Sequence, residues 1–213
     1  MILDMVREDL KNFIKTIPSD VTIVAATKYV GSNDMRILYE NGIKDFGENR
    51  VDSFLQKYEE LSDLKDINWH FIGHLQRNKA KKVINKINYL HSLDSIELAK
   101  EIEKLRNTPI NVFIEVSINL EENKNGVPYF ELSSFIDEVL PLKNINIVGL
   151  MMMAYKDSDN PENEFMKLVK LRDEISKTKH IPLKLLSMGM SDDYQAAIKA
   201  GATHIRLGRI LYK

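Results

Sequence analysis

Cysteine is absent from the 213 residues. That excludes a disulfide scaffold, cysteine-ligated zinc, iron–sulfur clusters and a thiol nucleophile, and it fits a reducing cytoplasm. An excess of one charge is also lacking. The 30 Lys+Arg face 31 Asp+Glu, a formal charge of −1, so there is no general basic field to draw in nucleic acid. No apolar run approaches the ~20 residues that span a bilayer. Residues 1–17 carry acids and bases throughout and lack the uninterrupted apolar core of a signal peptide. Glycine numbers only 9, and no G-x-G-x-x-G follows the first β-rich run, where Thr27-Lys28-Tyr29-Val30-Gly31 stands instead. A Rossmann sheet is therefore the weaker α/β reading. The expectation is a soluble, cytoplasmic protein.

What is present is an unbroken alternation of helical and β-rich segments. Ile2, Val6, Leu10, Phe13, Ile14 and Ile17 recur at three and four, the mark of an amphipathic helix. The predicted strands are 22–27, 43–47, 68–73, 88–93, 110–118, 145–153, 183–188 and 203–208. Between them the pattern predicts helices over 33–40, 51–61, 76–86, 95–106, 129–140, 162–179 and 192–200, with Ser95 and Ser191 as N-caps. Strict alternation means parallel strands joined by crossover helices. Eight of each predicts an α/β fold of the (β/α)8 TIM-barrel type, beginning with a helix and ending with the eighth strand, one domain over 1–213.

Barrel sites are built at the C-terminal ends of the strands. The first strand places Thr22, Val24, Ala26 and Lys28 on one face. A lysine at the inner rim is costly to bury as a cation, so it is either a paired or nucleophilic amine or a surface residue just past the strand. The second strand ends in Gly47-Glu48-Asn49-Arg50, where Asn49 either meets a ligand or caps a helix. The third ends in His70-Phe71-Ile72-Gly73-His74, and no metal-binding spacing accompanies those histidines. The helix from Gln76 carries Arg77, Lys79, Lys81 and Lys82, which reads as a solvated face or as a contact for an acidic partner or RNA. It lacks the aromatic platform that stacks bases.

The last two strands say most. Ser187-Met188-Gly189-Met190-Ser191 leaves the seventh strand, and Arg206-Leu207-Gly208-Arg209 leaves the eighth. Loops in these places form the recurrent phosphate cradle of the fold. Alternation turns Ile205 and Leu207 toward the helices and Arg206 into the barrel, where it needs an anion or an acceptor, Glu115 being one candidate. A lysine facing a phosphate cradle and an arginine suits a phosphorylated aldehyde held as a Schiff base, and pyridoxal 5'-phosphate (PLP) has that chemistry.

At these residues the chain resembles the pyridoxal-phosphate homeostasis proteins. The motifs are Ala25-Ala26-Thr27-Lys28, Phe46-Gly47-Glu48-Asn49, Trp69-His70-Phe71-Ile72-Gly73, Leu75-Gln76-Arg77-Asn78-Lys79, Lys124-Asn125-Gly126, Gly149-Leu150-Met151, Leu186-Ser187-Met188-Gly189-Met190-Ser191 and Arg206-Leu207-Gly208. The resemblance implies a barrel similar to the N-terminal domain of alanine racemase, without that enzyme's second domain. It implies a Schiff base on Lys28 and Arg206 at the pyridine nitrogen. Ser191 and the backbone around Met190, Gly208 and Arg209 would hold the phosphate, Ser187 would belong to the same loop site, and Asn49 would lie near the ring. Arg209 stands where the family often has Thr or Ser. The resemblance further implies a monomer that buffers PLP or delivers it to PLP-dependent apo-enzymes, with no membrane or nucleic-acid partner and no dedicated catalysis. The alternative is a weak fold-type III amino-acid racemase. Such an enzyme needs a second acid/base group opposite the lysine, and the spacing of Tyr29, Tyr129 and Tyr155 marks none.

Overall fold

The computed structural model describes residues 6–120, 125–155 and 158–212. Its strands are β1 (Thr22–Ala26), β2 (Asp45–Glu48), β3 (Asn68–Phe71), β4 (Tyr89–Leu93), β5 (Ile110–Ser117), β6 (Val127–Pro128), β7 (Ile145–Met151), β8 (Leu185–Ser187) and β9 (His204–Leu207). All strand pairings are parallel, in the order β4-β3-β2-β1-β9-β8-β7-β5, and β5 pairs again with β4. Eight strands thus close a barrel. The two-residue β6 only flanks the end of β5.

The helices are α1 (Leu10–Lys15), α2 (Ser32–Glu40), α3 (Val51–Glu60), α4 (Arg77–Val83), α5 (Ile96–Leu105), α6 (Leu132–Val139), α7 (Pro161–Lys179) and α8 (Tyr194–Ala200). Local chemistry sets several of their ends. Ser95 accepts the Leu98 amide at 3.4 Å to start α5. Asn160 accepts the Asn163 amide at 3.1 Å, and Pro161 opens α7, where a missing N–H costs nothing. Two expectations change. The helix predicted from the first residues begins only at Leu10 among the described residues, because Val6 bridges Tyr212 and the Arg7 amide donates to Leu211 O at 3.1 Å. The chain thus uses its early residues to tie down the end of β9's outgoing loop. Ser191 caps nothing: α8 starts at Tyr194, and the serine hydroxyl is engaged elsewhere. Lys124 of the Lys124-Asn125-Gly126 motif lies outside the described residues.

An apolar layer packs between barrel and helices, with Phe46, Phe54, Leu98, Ile102, Leu132, Ile136, Phe165 and Leu168 all buried. The barrel interior is different in kind. His70, His91 and Ser187 are fully buried there, and Glu115, His204 and Arg206 nearly so. The rings define this inner face: Phe113 lies 4.4 Å from His91 and 5.2 Å from His204, centroid to centroid. Glu115, two residues beyond Phe113 on the same strand, shares that face nearer the C-terminal mouth. Burial, with Asp94 adding repulsion, pushes the Glu115 carboxyl up to about 7, against the pull of Arg206 and His74.

Gly149 shows how tightly the staves are set. A Cβ there would stand 1.8 Å from Leu185 O on the neighbouring strand. Gly149→Ala is expected to destabilise the barrel by ~3 kcal/mol or more, or to prevent folding, as read by chemical denaturation; wild-type stability would contradict this packing. Glu115 adds a pH dependence. Its folded-state pKa is raised, so the folded chain holds a proton that the unfolded chain releases, and stability falls as pH rises from about 4.5 through about 7. Glu115→Gln should therefore be the more stable protein at about pH 8, by roughly 1–3 kcal/mol, with the gap closing toward about pH 5. Parallel stability curves for the two proteins would show that the carboxyl is not held protonated.

Candidate functional site

The wall that carries Lys28 is built from a buried charged cluster. Thr27 follows β1 directly and is fully buried. Its amide donates to Gly47 O at 3.0 Å, and its hydroxyl donates to Glu48 Oε1 at 2.6 Å. Lys57 reaches in from α3, donates to Thr27 O at 2.5 Å and forms an ion pair with the wholly buried Glu48. A buried carboxylate is tolerable only with partners of this quality. The cluster pins the last residue before the turn, and Lys28 emerges from it. Lys28 is exposed, its Nζ 4.8 Å from the Tyr29 ring centroid. Of the two positions the sequence leaves open for Lys28, the structure shows the exposed one just past the strand, because β1 ends at Ala26.

The facing wall comes from the loops after β8 and β9. Ser191 Oγ accepts the amides of Gly208 at 3.2 Å and Ile210 at 3.3 Å, lacing the two loops together. The Met190 amide donates to Asp193 Oδ1 at 2.5 Å. Gly189 makes the loop possible: its φ is +90°, and a Cβ there would lie 2.5 Å from that of Ala197. Arg209 is exposed and paired with the exposed Asp192, which offsets a negative charge that would otherwise border the two amides. Ala26, Lys28, Tyr29, Met190, Ser191, Asp192, Arg206, Gly208, Arg209 and Tyr212 line one cleft of about 220 Å³ at the barrel mouth.

Arg206 forms the floor of this cleft. Nη1 donates to Ser187 Oγ at 2.7 Å and Nη2 to Met152 O at 3.0 Å, so its described acceptors are neutral. Burial pulls its pKa down to about 10, opposed by Glu115 and Asp193. The guanidinium remains charged at neutral pH and retains further N–H groups beyond the two in use.

Of the residues singled out from sequence, Lys28, Met190, Ser191, Arg206, Gly208 and Arg209 therefore share one cleft. Ser187 does not line it. Its hydroxyl lies beneath Arg206, between that guanidinium and His91 Nδ1 at 2.8 Å, rather than among the loop residues of the cradle. Asn49 lies outside the lining as well, half-buried after β2, with Oδ1 buried and unpartnered among the described residues. Sequence reasoning missed Tyr29 and Tyr212 as lining residues and missed the Thr27–Glu48–Lys57 lock. The one available signal was a glutamate in Gly47-Glu48-Asn49 on a strand packed beneath a helix. The basic side of α4 is solvent-exposed at Arg77, Lys79, Lys81 and Lys82. Among the described residues no group of three His, Cys, Asp or Glu is placed to hold a metal ion, and no helix is long and apolar enough to cross a membrane.

Comparison with known proteins matches this geometry to a family. The model of the family described as "Alanine racemase, N-terminal domain" matches residues 2–213. A pyridoxal phosphate homeostasis protein of Aquifex aeolicus is 43% identical over 196 residues, covering 89% of this chain and 85% of its own length. The human pyridoxal phosphate homeostasis protein is 32% identical over 214 residues, covering 93% of this chain and 73% of its own. Among solved structures, PipY of Synechococcus elongatus PCC7942, with PLP bound, superposes with a TM-score of 0.90 at 30% identity over 97% of this chain and 99% of that one. The alanine racemase of Clostridium difficile 630 shares the fold, with a TM-score of 0.80 at 14% identity over 98% of this chain and 57% of the racemase. With its closed barrel, its two laced loops and these relatives, the chain belongs to the alanine racemase N-terminal domain family and, within it, to the pyridoxal phosphate homeostasis proteins.

Proposed function

We propose that this protein binds PLP as a Schiff base on Lys28 and serves PLP homeostasis by buffering or delivering the cofactor, without a dedicated reaction of its own. The observation that carries this reading is the single cleft in which an exposed lysine faces a buried arginine and a pair of laced loop amides. PLP, when bound, supplies an aldehyde that condenses with a primary amine and a ring that delocalises electrons.

The residues present fit such a group. Lys28 offers the amine on a pinned turn, with its cation free of any carboxylate that would compete for it among the described residues. The Gly208 and Ile210 amides make only long bonds to Ser191 Oγ, so a phosphate oxygen would replace one weak acceptor with a charged one. The Ser191 hydroxyl, relieved of them, would be free to donate to the same anion. Arg206 would face the pyridine nitrogen as a permanent donor. A donor there favours an unprotonated ring nitrogen and so a weaker electron sink than a carboxylate would maintain. Asn49 Oδ1 is a buried acceptor still lacking a donor, and it belongs to the same end of the barrel. Arg209 would lend its charge to the phosphate edge, although its present partner is Asp192.

Borohydride reduction of the PLP-loaded protein followed by peptide mass mapping is expected to place one pyridoxyl group on Lys28, and Lys28→Ala should abolish the labelling. A pyridoxyl group found only on other lysines would overturn the assignment. Arg206→Gln should weaken PLP binding roughly tenfold or more and shift the cofactor absorption band, since it removes a charge-assisted hydrogen bond. For the absence of a dedicated reaction, the readout is α-proton exchange of amino acids in deuterated water by the loaded protein. Exchange at enzyme-like rates would turn the reading toward a racemase.

A further inference from the structure

Beneath Arg206 the barrel interior holds a continuous run of polar side chains that the proposed site does not use. Ser187 Oγ lies 2.7 Å from Arg206 Nη1 and 2.8 Å from His91 Nδ1. His91 Nε2 lies 2.8 Å from His70 Nδ1. His70 Nε2 lies 2.9 Å from Asp45 Oδ1. The run crosses the barrel from the floor of the mouth cleft to Asp45, at the start of β2, whose carboxylate also accepts from Asn68 at 3.2 Å. The Asp45 side chain is 22% exposed, whereas His70 is wholly buried.

We propose that Ser187, His91, His70 and Asp45 are positioning residues, which through one-way donation from Arg206 to Asp45 hold the guanidinium in the orientation that meets the cofactor. The proposal rests on the PLP reading for what Arg206 meets, though not for the chain itself.

The direction follows from the donor and acceptor capacity of each group. Arginine only donates, so Ser187 Oγ is an acceptor at that contact. The serine proton then has one described acceptor, His91 Nδ1. If instead His91 carried its proton on Nδ1, the buried serine proton would have none. With Nδ1 bare, a neutral His91 carries its proton on Nε2 and donates to His70 Nδ1. By the same step His70 carries its proton on Nε2 and donates to the Asp45 carboxylate. Reversal would place a bare imidazole nitrogen against a carboxylate oxygen at 2.9 Å, lone pair against lone pair.

The rings are also clamped and kept neutral. His70 stacks on Tyr89 with centroids 4.6 Å apart and planes within 5°, and His91 packs on Phe113 at 4.4 Å. His204 is the third histidine of the interior, 6.3 Å from His70 and 6.2 Å from His91. Burial lowers the pKa of His91 well below its usual value, with His70, Arg206 and His204 adding to the effect. Burial also lowers that of His70, although Asp45 acts to raise it. Each hydrogen bond in such a chain polarises the next, so a carboxylate four links away still strengthens the acceptor under Arg206.

Nitrogen-15 spectra of the histidine side chains in the PLP-free protein test the chain directly. The expected result is a bare Nδ1 and a protonated Nε2 on both His70 and His91, unchanged between about pH 5 and 8. A protonated Nδ1 on His91, or imidazolium signals from either ring, would overturn the proposal. The second arm titrates PLP into variants. His91→Leu and Ser187→Ala should bind PLP about five- to tenfold more weakly and move its absorption maximum, the effect of one lost hydrogen bond. His91→Asn, which restores an acceptor for the serine hydroxyl, should recover part of both effects. Lower thermal stability with unchanged PLP affinity and spectrum would mean that the residues only pack. If His91→Leu does not fold, Ser187→Ala, which loses one hydroxyl, decides the binding arm. Failure of wild-type protein to bind PLP would sink the cofactor reading, while the tautomers would still be judged on the PLP-free protein.

Discussion

The site depends on one buried cation. Arg206 sits 5% exposed inside a barrel and cannot shed its proton to escape the cost. Two of its N–H groups go to Ser187 and to the Met152 carbonyl. Neither acceptor carries a charge, so the guanidinium is hydrogen-bonded without being neutralised. Glu115 and Asp193 help only through space, and burial drives the Glu115 carboxyl toward its neutral form near neutral pH. A barrel that holds an arginine this way carries standing positive potential at the floor of its mouth. An anionic ligand with an acceptor on its ring edge would relieve it. The register supports this placement, because Arg206 pairs with Val24 across β9 and β1, and Ala26, two residues on from Val24, lines the cleft.

The opposite wall solves a different problem with a different arrangement. Glu48 and Lys57 neutralise each other between barrel and helix, and both grip Thr27. Thus the residue before Lys28 is fixed while Lys28 itself is left to water. A fixed anchor and an exposed amine are compatible because the lock acts on the backbone of Thr27 and on its hydroxyl, one residue upstream of the amine. The loops after β8 and β9 are held by Ser191 in a similar manner, through two long bonds that a better acceptor could displace.

Much of this was legible from the chain alone, for identifiable reasons. Residues 110–118 predict a strand because β-branched and aromatic residues crowd one short run, and β5 occupies 110–117. The inward direction of Arg206 follows from the alternation of a strand, and it lines the cleft floor. The first predicted helix extends beyond the observed start at Leu10, because a three-and-four periodicity does not reveal that Val6 and Arg7 have tertiary partners at Tyr212 and Leu211. Ser191 fits the pattern of a helix cap equally well as that of a clasp between loops, and only the position of Gly208 decides between them. The support under Arg206 was the least legible part. Ser187 and His91 are 96 residues apart and meet only because β4 and β8 line the same interior. Local pattern carries no information about such a contact.

The contrast between the two walls bears on holding versus transforming a cofactor. Enzymatic chemistry on a bound amino acid gains from a closed, water-excluding site and from an acid/base group on each side of the reacting carbon. Here Lys28 is exposed and its neighbour Tyr29 is 55% exposed, so an amine linked there would stand open to solvent. The acidic group with a pKa near neutrality, Glu115, lies on β5, four staves around an eight-stave barrel from β1, in the interior beside Arg206. Recognition of the phosphate and ring would be rigid, while the covalent link would stay open to exchange with other amines. That division suits the proposed function, in which the aldehyde would be both retained and given up.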